Sequence, residues 1–168
     1  MGAAAVQVGG GAEAVPEGAV GSHPQVRLAL VPERAGEVVE VRNVRTGALM
    51  SRTPFEGQPG ALAMSPSVAA VLVKGQGIRI VVLDPNAGAI RRTIPMPSAT
   101  APALALSGRT LVYRVGLRLW RVDAVTGRRA TAAVTGSNAV SFSLEGRRLA
   151  WVETHRGRSR VRTVVLPG

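Results

Sequence analysis

Three times in this chain a strand-like run ends in Asn or Asp, with Gly four positions later. The segments are Asn43-Val-Arg-Thr-Gly47, Asp84-Pro-Asn-Ala-Gly88 and Asp123-Ala-Val-Thr-Gly127, spaced 41 and 39 residues apart. Each follows an apolar or alternating run: EVVEVR, IRIVVL and LRLWRV. Each precedes a second one: ALMSRTPF, AIRRTIPM and RRATAAV. Asp or Asn can accept backbone N–H bonds, and Gly supplies positive φ without a Cβ clash, so each segment predicts a hairpin turn. A second pattern recurs upstream. Ala-Leu-Ala-Met-Ser ends at Ser65, Ala-Leu-Ala-Leu-Ser at Ser107 and Val-Ser-Phe-Ser at Ser143, with a fainter Ala-Val-Gly-Ser at Ser22.

A period of about 42 divides 168 residues into four units. Each unit reads as four short strands, rich in Val, Ile and Thr and separated by Gly, Pro, Ser and Asp. Units of this length and content are the mark of β-propeller blades. The expected fold is therefore all-β, with about four four-stranded antiparallel blades. Residues 1–17 would form an N-terminal strand and linker, and residues 18–168 the repeats, with blades near 18–58, 59–100, 101–136 and 137–168. Locally, residues 32–44 contain acceptable helix formers; the shared register favours strands.

Ser143-Leu-Glu-Gly-Arg-Arg-Leu-Ala-Trp151 resembles the repeat of TolB-like propellers, and Ser107-Gly-Arg-Thr-Leu-Val-Tyr113 is a shortened form. Leu119-Trp-Arg-Val-Asp123, followed by Ala-Val-Thr-Gly, is similar to the strand and turn of quinoprotein-like and WD-type propellers. The resemblance covers residues 18–168 and implies a bacterial repeat protein, six or more blades in most relatives, and a periplasmic or secreted setting for a longer parent. It speaks for fold and not for function, because these repeats are structural.

Two architectures stay open. The last unit lacks a fourth strand after Val-Val-Leu-Pro-Gly168. In one reading Ala3-Ala-Ala-Val-Gln-Val8 supplies that strand and closes a four-bladed ring. In the other the chain is part of a larger propeller whose open edges invite association.

Composition removes several function classes. With 46% hydrophobic residues the chain is not disordered. The aliphatic run Val68–Val73 is far short of the roughly 20 residues of a helical span. The start has no basic and apolar signal pattern, and no compartment is assigned. Without Cys there are no disulfides or thiolate sites. The net charge of +11 comes from 21 basic residues, 20 of them Arg. Residues 1–108 carry nine basic and seven acidic groups, net +2, and residues 109–168 carry twelve and three, net +9. A GC-rich genome accounts for Arg over Lys; the asymmetry raises a polyanion partner as an alternative.

Arg156, Arg158, Arg160 and Arg162 alternate, so an extended strand would put them on one face. With Arg147 and Arg148 in the neighbouring hairpin they form the candidate site for nucleic acid or another polyanion. Charge on an exposed edge strand explains the same pattern without a partner. His23 and His155 are the only histidines, too few for a metal site by themselves. Asp84 and Asp123 belong to the repeated turns. No nucleophile elbow or phosphate-binding loop is present, so no catalytic residue, cofactor or metal is expected.

The expected function is a non-catalytic binding or scaffold module for a protein, peptide or small ligand. Its contacts would lie on the face where strand 4-to-1 and strand 2-to-3 loops gather, at Glu56, Lys74, His155, Arg156 and Arg158. The propeller part of a larger enzyme is a further alternative.

Overall fold

The computed structural model describes residues 26–33, 36–43, 45–98, 100–137, 139 and 141–168. The segment 1–17, His23 and the fourth strand proposed from residues 3–8 lie outside them. The regular elements of the described residues are all strands. The first sheet holds β1 (Val26–Glu33), β2 (Gly36–Asn43) and β3 (Leu49–Phe55). The second holds β4 (Gln58–Met64), β5 (Ala69–Lys74), β6 (Ile78–Leu83) and β7 (Ile90–Met96). The third holds β8 (Thr100–Ser107), β9 (Thr110–Val115), β10 (Arg118–Asp123) and β11 (Arg129–Val134). The fourth holds β12 (Ser141–Glu145), β13 (Arg148–His155) and β14 (Arg158–Val165). Every paired neighbour is antiparallel and consecutive in the chain.

The three repeated turns are built alike. The side-chain Oδ1 of Asn43, Asp84 and Asp123 accepts the N–H groups two and three residues on, at 2.6–3.1 Å. The Gly N–H of each donates to the carbonyl of the Asn or Asp at 2.8 Å. The glycines have φ of +70°, +68° and +76°, where a Cβ would be strained.

Alternation within the strands explains how the sheets stack. Successive side chains of a strand face opposite ways. On β5, Ala69, Val71 and Val73 pack toward the first sheet with Val39, Val41 and Phe55. Ala70 and Leu72 pack toward the third sheet with Ile80, Leu111 and Tyr113. A strand covered on both faces must be apolar throughout, which is why Ala69–Val73 reads as a continuous aliphatic run. The third layer joins Val112 and Leu119 to Leu149 and Trp151 of the fourth sheet. Each fully buried Leu contributes roughly 1.5–3 kcal/mol by leaving water.

The described residues within 32–44 belong to the paired strands β1 and β2, not to a helix. Packing of Val39 and Val41 against the second sheet selects the extended form. The closed four-bladed ring is corrected: strand β8 lies beside both β4 and β12, but among the described residues the ring is not closed. The sheets number four, two of them with four described strands and two with three.

Candidate functional site

Because the strands run antiparallel in order, the β3–β4, β7–β8 and β11–β12 links share one end of the sheets with the β5–β6, β9–β10 and β13–β14 turns. Several contacts bind this end together. A Cβ on Gly57 would collide with the Lys74 carbonyl, so the Glu56–Gly57 link rests directly on the β5–β6 turn. The Glu56 carbonyl accepts a hydrogen bond from the Arg79 guanidinium. Thr135 donates both its N–H, at 2.8 Å, and its hydroxyl, at 2.9 Å, to the Leu117 carbonyl.

Glu56 and Lys74 are thus brought together, both exposed. Arg156 and Arg158 lie at the same end but on the fourth sheet, with the third sheet between. His155 ends β13 opposite Arg158; its side chain is outside the described residues. Arg156 and Gly157 form the β13–β14 turn with φ of +49° and +73°, the pattern of a type I′ hairpin. Among the described residues Arg156 is the one non-glycine with positive φ. Such a backbone is held against an intrinsic cost of about 1–3 kcal/mol.

The six basic residues of the C-terminal stripe do not form one face. Arg158, Arg160 and Arg162 stand opposite His155, Glu153 and Trp151, on the side turned toward the third sheet. Arg148 pairs with Val165, on the opposite side. Arg147 donates through Nε to the Leu166 carbonyl at 2.7 Å, closing the chain end onto the β12–β13 turn. Arg162 donates through Nε to Glu153 Oε1 at 3.0 Å.

Sequence reasoning gave Glu153 no role. It is buried, and it also accepts from the Gly136 N–H at 3.1 Å and Trp151 Nε1 at 3.2 Å. The Arg162 guanidinium, then those two N–H groups, hold its carboxyl below the usual range. The one clue in the sequence was its place two residues after Trp151 in an alternating strand. Arg91 and two backbone N–H groups likewise lower Asp84. For Asp123, burial works to raise the value, and the Thr126 N–H and Arg109 outweigh it. These carboxylates are occupied in turns and ties. Among the described residues no three potential metal ligands gather, and no helix is long and apolar enough to cross a membrane.

No family model matches the chain, and no curated protein matches it by sequence. Solved structures do. The computationally designed Ika4 protein matches with a TM-score of 0.58 at 16% identity, over 89% of this chain and 96% of that one. The WD40 repeats of RRP9 match at 0.58 and 12% identity, over 87% of this chain and 52% of theirs. The structure of KlAtg21 in complex with the coiled coil of AgAtg16 matches at 0.56 and 19% identity, over 74% of this chain and 43% of that one. The chain thus spans nearly all of Ika4 and about half or less of the other two. At such identities the likeness speaks for fold alone, and the fold is that of a β-propeller: an array of antiparallel blades.

Proposed function

We propose that this chain is a non-catalytic binding module that recognises a protein or peptide at the loop end of its sheets. The observation that carries this reading is Arg156. Its backbone is held at φ +49° at the tip of a turn, where Asn or Gly would fit at lower cost. Strain kept at an exposed loop tip points to a contact made there. Lys74 and Glu56 supply further exposed charge at the same end. KlAtg21, similar in fold, is a complex-forming protein by its description, which agrees with a scaffold role. Within propellers we place the repeat nearest the TolB-like kind, because Ser143, Gly146 and Trp151 fall in the middle of β12, in the turn and on β13.

The polyanion reading is the weaker one. Arg147 and Arg162 are engaged within the fold, and Arg148 is turned away from Arg160 and Arg162.

The test is affinity capture with the wild-type chain and with Arg156→Gly. Relief of the backbone strain should stabilise the variant by about 0.5–1 kcal/mol in denaturant titration. Loss of the guanidinium should release the partner that wild type retains. Retention of that partner by both Arg156→Gly and Lys74→Glu would remove this end as the binding face.

A further inference from the structure

The outer edge of the fourth sheet differs from its counterparts. In the second and third sheets the strand corresponding to β14 carries a fourth strand: β7 beside β6, and β11 beside β10. Strand β14 is the described edge of its sheet. Alternate N–H and C=O groups of an antiparallel edge strand point outward, ready to pair.

The two faces of β14 carry different chemistry. Arg158, Arg160 and Arg162 lie on one; Ser159, Val161, Thr163 and Val165 lie on the other. Arg158 and Arg160 have no hydrogen-bond or ion-pair partner among the described residues, whereas Arg162 is held by Glu153. Val161 is 70% exposed and Val165 62%. The register equates Val161 with Ile80 and Leu119, through their partners Val152, Leu72 and Arg114. Ile80 and Leu119 are 0% exposed.

We infer that the edge of β14, unpaired among the described residues, is a docking site for an extended acidic strand from a protein partner. Residues of that strand alternate between carboxylates opposite Arg158 and Arg160 and β-branched apolar side chains beside Val161 and Val165. Backbone pairing supplies affinity, and the alternate side chains supply selection. Cross-strand opposite charges stabilise such a pair, and like charges oppose it. The Arg row therefore disfavours pairing of this edge with the same edge of a second copy, and selects an acidic strand. This edge meets the loop end at Arg158 and runs away from it through Arg160 to Val165.

The full chain is titrated with a labelled, capped eight-residue peptide of alternating Glu and Val, matching the eight residues of β14. Three probes accompany it: the Lys/Val counterpart, a Glu/Val peptide with Pro at a central position, and a heparin fragment. The expected result is saturable binding of the Glu/Val peptide and at least about tenfold weaker binding of the Lys/Val peptide. The Pro peptide should also be weaker, because it lacks a ladder N–H. The double variant Arg158→Glu/Arg160→Glu should reverse the preference toward Lys/Val. Both residues are exposed on an edge, and an unchanged melting transition shows that the variant folds. Failure of the Glu/Val peptide to bind the wild-type chain would overturn the proposal. So would equal binding of the Pro peptide or unchanged preference in the variant, and heparin binding that survives the double variant would assign the charge to another surface. The Arg156→Gly capture leaves this edge intact, so the loop-end reading and this one fail separately.

Discussion

The Ser65 hydroxyl donates to the Gly108 carbonyl at 2.8 Å, across 43 positions of sequence. It joins the end of one unit's inner strand to the first turn of the next. One unit further on, Ser107 Oγ accepts from the Gly146 N–H at 2.8 Å. Ser65 and Ser107 are thus latches between sheets. On the fourth sheet the register puts Glu145, opposite Arg148, in the equivalent place. Ser143 lies two residues earlier, opposite Ala150, and is exposed, with no such partner among the described residues.

Removing a latch should be felt only where it is closed. Ser65→Ala and Ser107→Ala should each lower stability by about 0.5–1.5 kcal/mol. Ser65→Ala should stand at the upper end, since its hydroxyl also accepts from the Val68 N–H at 3.1 Å. Ser143→Ala should change little. Urea midpoints at constant m-value measure all three.

The turn glycines should rank by what surrounds them. A Cβ at Gly88 would lie 2.6 Å from the Ser51 Cβ, and one at Gly127 would lie 3.3 Å from the flexible end of Arg92. At Gly47 it would meet nothing within 4 Å. All three alanine variants bear the left-handed cost of about 1–2 kcal/mol. Gly88→Ala should exceed the other two by a further kcal/mol or so. Thermal and urea unfolding of the set would check the order.

Acid should loosen the fourth sheet and the Asp turns of the second and third. The folded-state values of Glu153, Asp84 and Asp123 lie below their ordinary ones. Their contribution to stability is therefore fully present above the usual carboxylate range. It is lost as pH falls through the depressed folded values. Stability measured from pH 7 downward should decline most steeply in that acidic window. Glu153→Gln should be less stable at neutral pH and should show a smaller decline.

Equivalent positions should differ in cost according to their neighbours. Leu119→Ala opens a cavity between the third and fourth sheets and should cost about 2–5 kcal/mol. Val161→Ala, at the corresponding exposed position, should stay within about 0.5 kcal/mol. A large loss at Val161 in the isolated chain would show that its face is already covered.

Much of the fold was legible because its determinants are local. The Asn/Asp-to-Gly spacing sets a turn, alternation sets strand faces, and their common period sets the unit. The continuous aliphatic run of β5 could be read as a strand covered on both faces once the period was known. The site was less legible. The alternation of Arg156 to Arg162 was visible, but Arg156 belongs to a turn and Arg162 is held by Glu153. Neither fact follows from spacing, because each depends on hairpin register or on a residue brought in from another strand.

The sequence by itself determined the repeating four-strand unit, the chemistry of its turns and the basic excess of its last two units. Only the tertiary structure decided that Ser65 and Ser107 latch sheet to sheet, that Glu153 ties Arg162 to Trp151 and Gly136, and that the described sheets leave the ring open. Turn and strand patterns act over a few residues. Latches, ion pairs and ring closure need groups tens of residues apart to meet, and only the stacking of the sheets fixes which of them do.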